Sequence, residues 1–343
     1  MVKADAYGLG VAAVAPALLA AGCGTFFIAT VDEGVALRAL LGAEPSIVQL
    51  HGPGRGEAEA LHRANVLPVL NSLEQIAEWT TLAGTLGMAL PSALHLDTGM
   101  NRLGLGAGDV AVLTREPERL AGADLRLVMS HLTTAEEAAN KVNRRQLITF
   151  LQSTAAVPQS ARSLANSAGI FLGDAYHFDM VRPGIALYGA NPVPGQVNPM
   201  AEVVHLQGKI LQTRRVDAGE SVGYGGTHPV AKPTRIATVA AGYADGYLRS
   251  LSGCGTAMVG GVPVPVVGRV SMDLITLDVG AVAEHHTQAG APVSLVGGGV
   301  ALDDVATAAK TIPYEILTSL GARYRRTYVG AAQVADRAVA VTH

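Results

Sequence analysis

One lysine near the start of the sequence lies in a short run that could support covalent or acid–base chemistry. Positions 2–8 read VKADAYG, with the amine on Lys3. An amine can bond to a carbonyl carbon or move a proton when its surroundings favour its neutral form. A lysine considered alone is usually solvated. Its chemistry therefore depends on which other groups the fold brings beside it.

Four further groups of polar residues follow short apolar segments. They are HLDTGMNR at 95–102, Ser130-His131, Asn166-Ser167 and MVRPG at 180–184. In a (β/α)8 barrel the side chains that act on substrate lie where strands end and the following loops begin. If the apolar segments are strands, these groups and Lys3 would meet at one end of a barrel.

The same positions indicate a cofactor. Ser167 and Gly184 would follow the seventh and eighth strands, where such barrels commonly hold a phosphate. A phosphate site beside a lysine, without a nucleotide-binding loop, indicates pyridoxal 5'-phosphate. This cofactor needs an amine, phosphate donors and a partner for its pyridine nitrogen. The glycine runs at 52–56 and 297–299 lack fingerprint spacing. His285-His286 lacks further ligands, so no metal is predicted.

The elements that would position these residues alternate over roughly the first 190 positions. The strand candidates are Val2, 25–30, 46–50, 67–70, 93–96, 125–131, 163–165 and 177–181. The helix candidates include 32–41, 57–65, 73–86 and 135–151, and residues 8–30 predict a buried helix followed by a strand. Eight such repeats predict an α/β fold, a (β/α)8 TIM barrel.

Beyond about residue 200 the pattern changes to short valine-rich strands separated by Gly and Pro turns, which predicts a mostly β C-terminal domain. The strand candidates are 203–211, 236–241, 262–267, 274–279 and 292–296, with helices at 303–310 and 314–320. We therefore expect a cofactor-binding barrel over residues 1–202 and a β domain over residues 203–343, with the two domains packed firmly together.

Composition excludes several classes of protein. The 343 residues include 25 basic and 28 acidic side chains without a block of like charge, so neither nucleic acid nor a membrane surface is an expected partner. Two distant cysteines, Cys23 and Cys254, make no disulfide framework and favour a cytoplasmic location. The stretch ending at Cys23 resembles a lipoprotein signal, but Asp5 and Pro16 argue against an exported lipoprotein.

Six motifs follow the order found in bacterial alanine racemases, which the chain resembles over nearly its whole length. They are VKADAYG at 2–8, DTGMNRLG at 97–104, ANSAG at 165–169, VRPGIALYG at 181–189, GYADG at 242–246 and GRVSMD at 268–273. The resemblance implies a fold-type-III pyridoxal-phosphate enzyme, a homodimer with shared active sites. It would interconvert L-alanine and D-alanine and so supply peptidoglycan synthesis.

The resemblance also implies residue roles. Lys3 would bind the cofactor and act as a base on one face of the substrate, opposite Tyr243 of the second subunit. Arg182 would face the pyridine nitrogen and leave the ring a weaker electron sink than a carboxylate would. Further cofactor contacts would come from Tyr7, His131, Asn166, Ser167, Gly184 and Ile185, with His131 also supporting the tyrosine. Arg102 and the Met272 backbone would hold the substrate carboxylate, and Arg269 and Asp273 would form the mouth of the site.

The sequence departs from the family pattern at several positions. His95 stands where many relatives have a lysine that becomes carbamylated, so a chloride or another side chain would have to steady Arg102. Ser271 replaces a cysteine of some relatives, and Ala322 a tyrosine that reaches the phosphate. Relatives carry a longer segment before the lysine, so we expect a barrel shortened at its first strand.

Other functions stay open. A broad-specificity, serine or lysine racemase could share these motifs, because a few pocket residues can change specificity. A non-catalytic barrel that binds pyridoxal phosphate would lack the second domain. A decarboxylase of the same fold is disfavoured, since no cysteine motif replaces the tyrosine.

Overall fold

The N-terminal half is built on a parallel sheet with helices between its strands. A computed structural model describes residues 1–330. Its strands pair in chain order: β1 (Thr25–Ile28), β2 (Ser46–Gln49), β3 (Leu67–Leu70), β4 (Leu90–His95), β5 (Ala123–Met129) and β6 (Ala161–Ser163). Their buried Val, Ile, Leu and Phe residues form near-continuous runs, as expected for strands covered on both faces. The predicted α/β barrel followed by a β domain is confirmed.

The prediction of eight strands is wrong at both ends of the barrel. Residues 177–181 do not form a strand, because Phe178 has φ +51° and breaks the extended conformation. Val2 is not a strand either, since a helical turn begins at Lys3.

Both segments still lie where barrel strands would. The Val2 N–H donates to the Phe27 oxygen at 3.0 Å, beside β1. The Met180 N–H donates to the Arg162 oxygen at 3.2 Å, beside β6. The Met1 nitrogen donates to the Pro183 oxygen at 3.0 Å, which joins the two segments. The ring of backbone is thus closed by isolated hydrogen bonds rather than by strands.

The helices lie between the strands, largely as predicted. They are α1 (Lys3–Tyr7), α2 (Val11–Ala20), α3 (Val31–Leu41), α4 (Ala58–Arg63), α5 (Leu73–Leu86), α6 (Ala107–Arg115), α7 (Lys141–Thr154) and α8 (Ser167–Ile170). Helix α7 begins six residues later than predicted, where the Asn140 side chain accepts from the Val142 N–H. Helix α6 was not among the helices predicted.

The C-terminal half is the expected β domain. Its strands are β7 (Leu206–Val216), β8 (Ser221–Val222), β9 (His228–Pro229), β10 (Thr234–Ala240), β11 (Thr256–Val259), β12 (Val262–Val267), β13 (Leu274–Asp278) and β14 (Pro292–Val296). Six of these antiparallel strands close into a barrel in the order β10-β13-β12-β11-β14-β7, and β8 pairs with β9. Strand β11, absent from the prediction, forms a hairpin with β12 through Gly260 and Gly261, whose positive φ values suit a two-residue turn.

Helices α9 (Leu302–Ala308) and α10 (Pro313–Thr318) follow the β barrel and pack against the first half of the chain. A Cβ on Gly8 would lie 2.4 Å from the Leu317 oxygen, so α10 approaches the first turn at backbone contact. The Asn191 N–H donates to the Asp303 carboxylate at 3.1 Å. Within residues 1–330 no helix has the length and apolarity needed to cross a membrane. The end of the predicted second domain, 331–343, lies outside the described residues, and the boundary at 202/203 stays a prediction.

Candidate active site

Lys3 begins a left-handed helical turn. Ala4, Asp5 and Ala6 have φ values of 53–54° and Tyr7 has φ 59°, so four successive non-glycine residues adopt the left-handed region. This conformation costs about 1–2 kcal/mol per L-residue. Backbone strain of this kind persists where the surroundings hold it, often at functional sites. The contacts around the turn must therefore stabilise it.

The first such contact comes from Glu33 on α3. Its Oε1 accepts the Ala4 N–H at 2.6 Å, and its Oε2 accepts the Ala29 N–H at 2.7 Å. The two bonds join the residue after Lys3 to the end of β1. Hydrogen bonds to an ionised carboxylate are stronger than neutral ones.

The second set of contacts comes from the C-terminal domain. Arg326 donates to the Gly8 oxygen at 3.0 Å, and the Tyr328 hydroxyl donates to the Leu9 oxygen at 2.8 Å. The Tyr7 ring lies between Tyr188 and Tyr314, with centroid distances of 4.8 Å and 5.7 Å. The lysine turn is therefore held by both halves of the chain.

The surroundings of Lys3 favour its neutral amine. Burial lowers the pKa of Lys3 from its ordinary value, and the Arg102 charge lowers it further, while Glu33 acts in the opposite direction. A neutral amine is the form that can bond to a carbonyl or accept a proton.

Arg182 is fixed at the centre of the strand ends. It is 4% exposed. Its Nη2 donates to the Ser130 oxygen at 2.5 Å, and its Nη1 donates to the Ser163 hydroxyl. Burial lowers the pKa of Arg182 to about 10, so the group stays charged at neutral pH. No hydrogen bond of its Nε is found within residues 1–330, which leaves that N–H for a ligand.

Two histidines beside Arg182 are held neutral. Burial, then the charges of Arg182 and Arg102, lower the pKa of His131 to about 3. Burial and Arg182 likewise lower the pKa of His95 to about 4. Nδ1 of His131 lies 3.4 Å from Nη2 of Arg182. Because the guanidinium can only donate, Nδ1 accepts and the hydrogen of the neutral ring lies on Nε2.

Ser167 and Gly184 lie beside Tyr7. The Ser167 hydroxyl accepts the Gly184 N–H at 2.8 Å and the Ala186 N–H at 3.3 Å. A Cβ on Gly184 would lie 2.3 Å from the Tyr7 hydroxyl, so this position admits no side chain without rearrangement. Ile185 is buried next to them. The predicted phosphate contacts Tyr7, Ser167, Gly184 and Ile185 are therefore neighbours.

Asn166 and Arg102 have different surroundings. The Asn166 oxygen accepts the Gly169 N–H at 2.8 Å and so caps α8. Arg102 is exposed on a loop that Asp97 holds, with Oδ1 of Asp97 accepting the N–H groups of Gly99 and Met100 at 2.9 Å each. Arg102 itself makes no ion pair within residues 1–330, but its charge acts on Lys3 and both histidines.

The C-terminal candidates form a separate exposed edge. Tyr243 is 43% exposed and its N–H donates to the Ser271 oxygen at 3.0 Å. Met272 accepts the Ala244 N–H at 2.9 Å. Arg269 is exposed and lies near Gly225, since a Cβ added to Gly225 would lie 3.4 Å from Nη1 of Arg269.

An ion-pair bridge supports this edge. Arg323 donates to Asp245 and to Asp273 at 2.7 Å each. Asp245 also accepts the Gly242 N–H at 2.9 Å, which closes the turn that carries Tyr243. Within residues 1–330 no hydrogen bond joins Tyr243, Asp273 or Arg323 to Lys3 or Arg182. A single chain thus brings Lys3 and Arg182 into one site, but no hydrogen bond within residues 1–330 links the exposed edge that carries Tyr243 to them.

Several residues of the site were not predicted. Asn71 follows β3 and contacts His95, so the rule that identified other strand-end residues could have found it. Gln146 on α7 is fully buried, accepts the Thr133 N–H at 2.9 Å and donates to the His131 oxygen at 3.0 Å. Glu33 matches a capping box with Thr30, but that pattern carries no information about Ala4.

The fold and these contacts define a two-domain barrel protein whose strand ends gather an amine with a lowered pKa, a buried arginine and two neutral histidines. Similarity searches agree with this class. Residues 1–192 match the family model "Alanine racemase, N-terminal domain", and residues 203–328 match "Alanine racemase, C-terminal domain". The chain belongs to the alanine racemase family.

Individual relatives are similar over most of their length. The chain is 48% identical to the alanine racemase of Rhodospirillum rubrum over 330 residues, which cover 96% of this chain and 88% of that one. It is 47% identical to the catabolic alanine racemase of Agrobacterium fabrum, covering 96% and 85%. The crystal structure of alanine racemase from Bartonella henselae with covalently bound pyridoxal phosphate has a TM-score of 0.92 and 41% identity, covering 96% of this chain and 91% of that chain.

Proposed function

We propose that this chain is a pyridoxal-phosphate-dependent racemase that interconverts L-alanine and D-alanine. Eight relatives at 46–48% identity carry the name alanine racemase. The observation that carries the proposal is the electrostatic grouping at His131. Nη2 of Arg182 lies 3.4 Å from Nδ1 of His131, and the charges of Arg182, Arg102 and Lys3 all act on this one imidazole, although the three residues lie far apart in sequence. Residues of the types that the reaction needs therefore share one site.

The residues present fit pyridoxal 5'-phosphate. Lys3 offers an amine whose pKa burial lowers, and Arg182 offers a charged donor with an available N–H. Tyr7, Ser167 and the main chain at Gly184 and Ile185 could hold the phosphate, because the missing side chain at Gly184 lets the Tyr7 hydroxyl approach the main chain there. When bound, the cofactor withdraws electrons from the substrate and acidifies its Cα–H bond.

The chain's own residues would move the proton. Lys3, in its neutral form, would act as base or as acid on one face of the substrate, and Tyr243 on the other. Two opposed groups suit racemisation, because the proton must leave one face and return to the other. Arg182 keeps its charge at neutral pH and does not readily give up a proton, so it would limit charge delocalisation and the side reactions that follow from it.

The remaining site residues would orient the substrate. Arg102 and the Met272 backbone would bind its carboxylate, while Arg269 and Asp273 would line the mouth of the site. His131 would support Tyr243, and Asn166 would hold the loop at the cofactor. The exposure of Tyr243 supports a homodimer in which each chain supplies this residue to the other. A cytoplasmic location is proposed with the function.

Substrate and lysine can be tested together. The purified holoenzyme is assayed for racemisation of alanine, serine and lysine, and the lysine–cofactor linkage is reduced with borohydride and mapped by mass spectrometry. We expect alanine to be the best substrate and the label to lie on Lys3. Faster turnover of lysine or serine than of alanine would refute the assignment of alanine as the substrate. A label on another residue would refute the assigned lysine.

A further inference from the structure

We propose that Glu33 is a positioning residue for Lys3, because its carboxylate fastens the left-handed turn that carries the lysine. The inference rests on the proposed function only in that Lys3 is taken to be the reactive amine.

The contacts of Glu33 carry this proposal. Oε1 accepts the N–H of Ala4, the residue directly after Lys3, at 2.6 Å. Oε2 accepts the N–H of Ala29 at 2.7 Å, at the end of β1. One carboxylate thus binds the lysine turn and the neighbouring strand end at once. The separation between Lys3 and β1 is fixed by two charge-assisted hydrogen bonds.

The turn needs such support from outside itself. Each non-glycine residue in the left-handed region costs free energy, and the turn has four of them in succession. Among the hydrogen bonds of the turn, the Ala6 N–H donates to the Val2 oxygen at 2.9 Å and the Gly8 N–H donates to the Ala4 oxygen at 2.8 Å. Neither of them involves the Ala4 N–H. That group binds Glu33 instead, so removing the carboxylate leaves it without its partner.

Glu33 also supplies negative charge near Lys3. Arg102, from the loop after β4, acts on Lys3 with the opposite sign to Glu33. The charge of Lys3 in turn lowers the pKa of His131, which follows β5, and the pKa of the Met1 amino group. Asp5, on the same turn, binds the Val11 N–H at 2.7 Å. Glu33 is thus placed to oppose the effect of Arg102 on the amine.

A simpler role for Glu33 would be helix capping. The Thr30 hydroxyl accepts the Glu33 N–H at 3.3 Å, and Oε2 of Glu33 lies 3.4 Å from the Thr30 nitrogen. Two variants separate capping from positioning. Thr30→Ala weakens the cap but leaves the carboxylate, and Asp32→Asn removes a neighbouring charge in the same helical turn. Neither touches the Ala4 contact.

The experiment uses the full chain without cofactor. Hydrogen–deuterium exchange of the peptide containing Ala4 is compared in wild type, Glu33→Gln, Glu33→Asp, Thr30→Ala and Asp32→Asn. We expect exchange about tenfold faster or more in both Glu33 variants. Asp is too short for both contacts, and Gln presents an N–H where one acceptor is needed. Thr30→Ala and Asp32→Asn should match wild type in this peptide.

A second readout follows the amine itself. Brief acetylation of Lys3 across a pH series, quantified by mass spectrometry, gives the midpoint of its titration. The midpoint should lie lower in Glu33→Gln than in Glu33→Asp, because both variants loosen the turn but only Asp keeps the negative charge. Equal midpoints would overturn the electrostatic part. Wild-type exchange at Ala4 in Glu33→Gln would overturn the positioning role, and Glu33→Asp decides if the Gln variant does not fold.

The outcomes are independent of the proposed function. Both measurements are made without pyridoxal phosphate, so they test Glu33 alone. A borohydride label that misses Lys3 would defeat the proposed function while leaving the exchange results in place.

Discussion

Asn71 determines which nitrogen of His95 carries a hydrogen. The Asn71 amide group donates to the Leu50 oxygen at 3.1 Å and to the Val69 oxygen at 2.9 Å. Its own oxygen lies 2.8 Å from Nδ1 of His95 and must accept. The hydrogen of the neutral ring therefore lies on Nδ1, and Nε2 presents a lone pair. His95 thus places a hydrogen-bond acceptor in a site whose main charges are Arg102 and Arg182.

Replacing Asn71 by Ala should destabilise the fold. The change leaves a buried Nδ1–H and two carbonyl oxygens without their partner, and such losses cost about 1–3 kcal/mol in the free energy of unfolding. Urea denaturation of the apo chain measures the effect. A loss below about 0.5 kcal/mol would contradict the assigned network.

The pH dependence of stability should report the two neutral histidines. The pKa values of His95 and His131 fall to about 4 and about 3 in the folded chain, from an ordinary value of 6.5. Below pH 6.5 the unfolded chain therefore binds protons that the folded chain does not. Their contribution is complete above pH 6.5 and is lost as the pH falls toward 4 and then 3.

The variant His95→Gln tests this linkage. A single such histidine changes the free energy of unfolding by up to about 1.4 kcal/mol per pH unit. The decline between pH 6.5 and pH 4.5 should accordingly be shallower in His95→Gln than in wild type. Parallel curves for the two proteins, measured by urea denaturation at each pH, would refute the assignment. The partly exposed His62→Gln serves as the control.

Gly184→Ala should disturb the packing of the Tyr7 side chain. The new Cβ would meet the Tyr7 hydroxyl at 2.3 Å, and Tyr7 cannot swing away because Tyr188 and Tyr314 pack against its ring. We expect a loss of about 1–3 kcal/mol in stability and weaker cofactor retention. Tyr7→Phe removes the clashing oxygen, so Gly184→Ala should cost less in that background. Equal costs in both backgrounds, from thermal unfolding, would show that the contact is absent.

Arg323→Ala should affect catalysis more than stability. Its side chain is half exposed, so its two ion pairs are screened by solvent and contribute little to folding. The ion pair with Arg323 holds Asp245, which closes the turn that carries Tyr243. When the ion pair is removed, this turn should loosen and kcat for alanine racemisation should fall. Arg215→Ala removes a more exposed ion pair, at 3.0 Å from Asp217 and away from Tyr243 in sequence, and provides the control. An equal effect of both variants on kcat would argue against an anchoring role.

The sequence allowed the architecture to be predicted wherever periodicity was regular. Strands β1 to β3 and helix α5 were found because apolar runs and caps such as Ser72 are local signals. The first and eighth strands were wrong, because a left-handed turn after Val2 and a positive φ at Phe178 cannot be read from hydrophobicity.

The site was predictable in part for the same reason. Lys3 and Arg182 could be placed by the strand-end rule and by motif. Glu33 and Gln146 could not, since their partners are backbone groups in other segments of the chain, brought near only by the finished fold.

The hydrogen bonds from the C-terminal domain to the residues after the lysine turn have a consequence for how the chain folds during synthesis. Arg326 and Tyr328 bind Gly8 and Leu9, across 318 and 319 positions of sequence. Domains generally fold from the N-terminus as the chain leaves the ribosome. Lys3 therefore leaves the ribosome long before the residues that complete its turn. The barrel could fold during translation, but the amine of Lys3 would reach its final setting only after the strands of the C-terminal domain have been made.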